Sequence, residues 1–205
     1  MAYFPMFVDL TNRSGLIVGG GSVALRKAEK LLPYGPRLTV IAPELHADLL
    51  TLPNLHLQRR AFRIEDLSGA DFVIAASDDR ELNRTVSVQC RERGIPVNAV
   101  DDKEACSFLF PALVQRGNLS IGISTGGASP TAAIWLKNEI NALLPQRLDE
   151  ILTWLESQRP RIKSLCPDDS SRARIFARLF TACLAAGAPL SDPEFSAMLN
   201  EEGLL

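Results

Sequence analysis

Residues 15–27, GLIVGGGSVALRK, constrain this chain more than any other stretch. The apolar run Leu16-Ile17-Val18 ends in Gly19-Gly20-Gly21, and Ser22-Val23-Ala24 opens a helical pattern with Ala24, Leu25, Ala28, Leu31 and Leu32 on one stripe. Gly19, Gly21 and Ala24 fit G-x-G-x-x-A, the strand–turn–helix fingerprint of a dinucleotide-binding fold. Gly19 permits the tight turn, Gly21 keeps side-chain atoms away from a pyrophosphate, and Ala24 lets the helix pack close to the sheet. Unpaired N–H groups and the positive end of the helix dipole then face the phosphates. The competing reading is a glycine turn that only joins strand to helix, but three consecutive glycines exceed what such a turn needs.

The remaining sequence continues in the same alternation. Residues 3–10 read as a strand or extended segment. Pro33, Gly35 and Pro36 close the first helix. Residues 38–41 read as a second strand leaving through Ala42-Pro43-Glu44, 44–51 as a short helix, 55–57 as a short strand and 70–76 as a buried strand. Ser77-Asp78-Asp79 caps a helix over 80–93, Gly94 stops it, and a strand over 95–100 delivers Asp101-Asp102. This β-α-β order implies a parallel, doubly wound sheet. After residue 104 the pattern changes. Strands over 108–114 and 119–124 flank a turn at Arg116-Gly117-Asn118, and Thr125-Gly126-Gly127-Ala128 forms a second glycine-rich loop. Ser129 and Pro130 then suit the N-cap and first position of a helix over 131–143. Helical patterns follow at 146–158, 170–186 and 192–200. The expected architecture is α/β: a Rossmann-type parallel sheet domain (1–112), a small α+β dimerisation and substrate-cleft region (113–145), and a helical domain (146–205).

Composition narrows the partners. The 205 residues carry a formal net charge of −2, which gives no reason to expect nucleic acid or a membrane surface. The N-terminus lacks a signal-peptide pattern and no apolar run is long enough to span a bilayer. Cys90, Cys106, Cys166 and Cys183 are scattered and there are only two histidines, so reduced thiols in a cytoplasmic protein and no protein metal centre are expected.

In an open α/β sheet the ligand lies beyond the carboxyl ends of the strands. The Gly19–Val23 turn, Ala42-Pro43-Glu44, Ser77-Asp78 and Asn98–Asp101 all fall there. Glu44 or the backbone of 42–44 is placed to meet an adenosine ribose, and no arginine follows the second strand directly, which favours NAD over NADP. Asp101-Asp102 is an adjacent acidic pair at a strand end: either a proton acceptor or a solvated turn. The Ser124–Pro130 loop either presents N–H groups to an anion or merely connects. Arg80, Arg84, Lys103, Arg116 and Lys137 are candidate cations for an acidic substrate.

Six stretches together carry a family resemblance: FPMFVDL (4–10), GLIVGGGSVALRKAEKLL (15–32), LTVIAPE (38–44), VIAASDDRELNRTVS (73–87), PVNAVDDKEACSFLFPALVQRGNLSIGISTGGASPTAA (96–133) and LLP (143–145). The chain resembles the bacterial precorrin-2 dehydrogenases, including the amino-terminal module of siroheme synthase, over residues 3–160 and more weakly beyond. C-S-F-L-F-P and S-T-G-G-A-S-P are specific, since a generic Rossmann protein has no reason to carry them. The resemblance implies NAD-dependent oxidation of precorrin-2 to sirohydrochlorin in siroheme synthesis, a homodimer, and in some members insertion of ferrous iron. It implies NAD contacts at Gly19, Gly21, Ser22, Val23, Pro43 and Glu44, catalysis at Asp101, and a tetrapyrrole cleft lined by Ser124, Gly126 and Gly127 with Asn98 nearby. Two departures stand out. Ser124-Thr125 replaces the two serines of some members, and the methyltransferase module of the fused enzymes does not follow Leu205, as in a standalone enzyme or a truncated one. A bifunctional dehydrogenase–ferrochelatase is the alternative within the family, and a chelatase without NAD chemistry is disfavoured by the intact glycine fingerprint. A non-catalytic NAD sensor is the alternative from another class.

Overall fold

A computed structural model describes residues 3–204. Met1, Ala2 and Leu205, the outermost residues of the expected first and last domains, lie outside the described residues. The chain forms two compact units, the first ending at Phe110 and the second starting at Pro111.

The first unit is built on five parallel strands: β1 (Ser14–Val18), β2 (Arg37–Ala42), β3 (Leu55–Arg59), β4 (Phe72–Ala75) and β5 (Val97–Ala99), in the order β3-β2-β1-β4-β5. Helix α1 (Ser22–Leu31) follows β1 and α2 (Arg80–Glu92) joins β4 to β5. Because side chains alternate along a strand, β1 serves both faces. Ile17 joins Ala24, Leu25 and Ala28 of α1 in one core, while Leu16 and Val18 join Val86 and Cys90 of α2 in the other. Strand order reverses between β1 and β4, so the crevice expected to hold a ligand opens beyond Val18 and Ala75.

Several expectations shift at their edges. Residues 3–10 form no strand, and Phe4, Met6, Phe7 and Val8 are exposed. The expected helix at 44–51 is a 3₁₀ turn over Ala47–Thr51. The first helix gives way to a 3₁₀ turn whose cap, Gly35, adopts the left-handed φ of 74° that glycine tolerates.

The second unit opens with an antiparallel hairpin, β6 (Ala112–Arg116) and β7 (Leu119–Ile123). Helix α3 (Pro130–Leu143) follows, capped by the Ser129 hydroxyl, which accepts from Ala132 N–H. β6 starts later than expected because residues 107 and 108 bond instead to β5. Helices α4 (Leu148–Leu165), α5 (Asp169–Ala186) and α6 (Asp192–Glu201) enclose Ile151, Ile162, Ile175, Leu179, Phe195 and Leu199. Helix α4 runs past Pro160, where the sequence pattern stopped. A proline there removes one helical hydrogen bond, a cost of about 3 kcal/mol. The next turn offsets it by burying Ile162 completely and lodging Cys166 in the same core.

Candidate functional site

The glycine turn is wedged between the ends of three strands. Gly19 donates to Ile41 O (3.0 Å), and at φ 121° its α-carbon faces the Ala76 carbonyl, which a Cβ would approach to 2.3 Å. At Gly20 a Cβ would come within 2.1 Å of Glu44 O, and Gly20 O accepts from His46 N–H at 2.7 Å. Both glycines are therefore demanded by the chain's own packing.

Gly21 is different. Its backbone is ordinary (φ −83°), and a Cβ there would meet no atom within 4 Å. Neither strain nor packing accounts for a glycine at this position, and the space beside it is open to a ligand. Gly21 is also the N-cap of α1, with no side-chain cap and no acid in the first turn. The N–H groups of Ser22 and Val23 thus lack intrahelical partners. An open cradle at an uncapped helix start fits a pyrophosphate, and the residues present fit NAD. Pro43 and Glu44 sit exposed at the exit of β2, with the Glu44 carbonyl against the turn.

The loop after β5 folds back onto its own strand. Ser107 N–H donates to Val97 O (2.8 Å) and the Ser107 hydroxyl accepts from Val97 N–H (2.7 Å). The Cys106 thiol accepts from Ala99 N–H (3.2 Å) and lies 3.1 Å from Ala99 O. Asn98, only 6% exposed, donates to Phe108 O at 3.0 Å. This is what C-S-F does: each residue bonds to β5 and fixes the loop tip. At that tip Asp101 adopts φ 58°, rare for a residue with a side chain, and is exposed.

The acidic pair is divided by role. Asp102 accepts from Arg84 Nε (2.9 Å) and Ala105 N–H (3.2 Å), and the Arg84 guanidinium foremost holds its carboxyl below the usual range. Asp101 has no partner among the described residues. Asn98 is a brace rather than an exposed contact, since its amide is committed within the unit.

Three contributors escaped the sequence reading. Asn83 is buried on α2 and holds the backbone of Ser77 in the loop after β4, accepting from Ser77 N–H (3.0 Å) and donating to Ser77 O (2.8 Å). Ser87, one turn later, donates to Ala105 O. Two polar residues on the buried stripe of an amphipathic helix were the available signal. Lys27, on α1, points its Nζ to 3.5 Å from Asn98 Oδ1 and 3.6 Å from the centre of the Phe110 ring. Burial, with Lys30 adding to it, pushes the ammonium down to about 8.

Ser124, Gly126 and Gly127 lie in the second unit. Gly126 and Gly127 take φ 62° and 87°, and Gly126 N–H donates to the Ser124 hydroxyl at 3.2 Å. The Thr125 hydroxyl both donates to Ser129 O (3.0 Å) and accepts from Ser129 N–H (3.1 Å), so the threonine that departs from the double serine braces the loop. Arg116, one of the candidate substrate cations, is engaged within the second unit. Its guanidinium is spent on Asn141 and on the carbonyl of Pro145. Among the described residues, no three His, Cys, Asp or Glu side chains converge as a metal site, and no helix is long and apolar enough to cross a membrane.

Residues 6–112, more than half of the chain, match a family described as NAD(P)-binding. The chain belongs to this NAD(P)-binding family. Separately, residues 116–143 match the sirohaem biosynthesis protein central family. The siroheme synthase of Thioalkalivibrio sulfidiphilus is 40% identical over 183 residues, 87% of this chain and 37% of that protein. The siroheme synthase of Ectopseudomonas mendocina is 37% identical across 100% of this chain and 44% of its own length. The chain thus spans less than half the length of these curated relatives. The solved structure of SirC, a precorrin-2 dehydrogenase, superposes with a TM-score of 0.76 at 26% identity, covering 97% of this chain and 98% of that one. The resemblance to the precorrin-2 dehydrogenase and siroheme synthase family read from the six stretches is therefore borne out.

Proposed function

We propose that this chain oxidises precorrin-2 to sirohydrochlorin with NAD, in siroheme synthesis. The observation that carries the reading is the pairing, in one small unit, of the open cradle at Gly21 with a carboxylate held alone on a braced tip. The likeness to SirC along nearly the whole of both chains supports the choice of substrate.

The oxidation removes two electrons and two hydrogens from the macrocycle, one as hydride and one as a proton. NAD, when bound, supplies the hydride acceptor. Gly19 and Gly21 leave room for the pyrophosphate, the backbone N–H groups of Ser22 and Val23 hold it, and Pro43 and Glu44 flank the adenosine. Asp101 takes the proton as general base. Asp102 stays bound to Arg84 and keeps the tip in place. Ser124, Gly126 and Gly127 are assigned to macrocycle binding, as the family resemblance implies. With Asp101→Asn, NAD should bind as in the wild type while anaerobic turnover of precorrin-2 falls about 100-fold or more. An undiminished rate overturns the assignment of the base. NAD binding with no turnover by the wild type, and no tetrapyrrole binding, moves the chain to the sensor class.

The likeness to siroheme synthases favours a second activity at the same site, insertion of ferrous iron as a substrate. Added to the same assay after sirohydrochlorin forms, ferrous iron should give siroheme faster than the enzyme-free control. We assign the region 113–145 to dimerisation of a cytoplasmic homodimer. Ile134, Trp135 and Leu136 of α3 are exposed, as is Leu143, an apolar surface suited to a second copy.

A further inference from the structure

Asp101 is one of the residues lining a pocket of about 200 Å³ in the first unit, one of whose cations, Arg80, has no part in the reaction scheme. Arg80 and Arg84 line one side of it, Asp101, Asp102, Lys103 and Glu104 the other. The two arginines stand one turn apart on the first part of α2. Like charges at this spacing repel and weaken a helix, so the fold by itself has no use for both.

Asp102 answers only one of them, and only in part. It takes the Arg84 Nε, while the two terminal nitrogens of that guanidinium bond to no described residue. The carboxylate thereby orients Arg84 and leaves its outer edge open. A guanidinium held this way is preorganised for a second, planar, two-oxygen partner. Arg80 is exposed and makes no hydrogen bond or ion pair among the described residues. The charges lining the pocket balance, three cations against three carboxylates, so general attraction is weak and recognition falls to directed hydrogen bonds.

We propose that this pocket is a carboxylate subsite, in which Arg80 and the outer edge of Arg84 clamp one carboxylate arm of the substrate beside Asp101. The proposal rests on the tetrapyrrole reading above, since a polycarboxylate macrocycle is what would bring such an arm. Its consequence is orientation. Fixing one arm selects which edge of a nearly symmetric ring meets the base, a gain of proximity rather than of intrinsic reactivity.

The test uses the full chain and uroporphyrin III, a stable octacarboxylate tetrapyrrole, titrated by its absorbance, with the octamethyl ester as the uncharged control. Wild-type protein should bind the acid and not the ester. Arg80→Gln should weaken binding of the acid roughly tenfold, as expected for losing one hydrogen bond to a charged group, with NAD affinity unchanged. Arg84→Gln should do at least as much. In turnover of precorrin-2, Arg80→Gln should raise KM more than it lowers kcat. Wild-type affinity in the Arg80→Gln and Arg84→Gln double variant overturns the subsite and leaves the tetrapyrrole reading intact. No binding of uroporphyrin III or precorrin-2 by the wild type overturns both. Because Arg80 bonds to no described residue, its variant should fold normally, and NAD binding by each variant checks this.

Discussion

Gly19-Gly20-Gly21 and Gly126-Gly127 look alike in the sequence, each a glycine run between a strand and a helix. The structure separates them. In the first, two glycines are packed against the chain's own carbonyls at Ala76 and Glu44, and the third faces open space. In the second, the glycines turn the backbone through positive φ, a Cβ on Gly126 would meet nothing within 4 Å, and a threonine hydroxyl holds the loop shut. The first loop is part of the fold's packing, and its last residue is open to the cofactor that we propose it meets. The second takes its shape from its backbone, whatever it goes on to bind. Glycine content therefore says little about a loop until it is known what each missing Cβ would have touched.

That contrast breaks most visibly at Gly20. Gly20→Ala drives a Cβ into backbone that cannot retreat without moving β2's exit, and should destabilise the first unit by about 3 kcal/mol, measured as a lowered denaturation midpoint. A midpoint within error of the wild type would mean that the 42–46 segment yields easily.

Gly21→Ala is the sharper test. With no neighbour to meet, it should leave stability within about 1 kcal/mol, the scale of an N-cap exchange. It should nonetheless weaken NAD binding about tenfold or more, read as a diminished thermal shift on adding NAD. Unchanged affinity would return the site to a plain turn.

Gly126→Ala should cost about 1 kcal/mol through its left-handed φ, leaving NAD affinity untouched. A larger loss would mean that this loop, too, is packed.

The last effect concerns the helix that the first loop opens. Half-buried Lys27 gives up its proton near pH 8 in the folded protein, against an ordinary 10.5. Between those values the unfolded chain holds more protons, so stability rises with pH there, and below about pH 8 the full cost of burying the ammonium is borne. Lys27→Met should therefore show its most favourable stability relative to the wild type below pH 8, and lose that advantage as pH climbs toward 10.5. A pH-independent difference between the two would show that the amine titrates normally.

Much of this was legible along the chain, because the signals were local. Alternation of apolar residues, the small residues at 19, 21 and 24, and the Ser129-Pro130 start of α3 each act within a few residues, where sterics and capping decide the outcome. The parallel sheet follows from the order of strands and helices, since a crossover between parallel strands has one favoured hand. The acidic pair at 101–102 could be located but not divided. Which carboxylate is free depends on Arg84, eighteen residues away and brought there by α2 packing on β5. The same holds for Arg116, a plausible substrate cation in sequence that the fold ties to Asn141, and for C-S-F, whose bonds to β5 exist only once the loop has folded back. Sequence by itself determined the elements, the glycine fingerprint and the address of the site. Tertiary structure alone decided which polar groups are satisfied internally and which remain to do chemistry, because a hydrogen bond over long sequence separation depends on packing that no local pattern encodes.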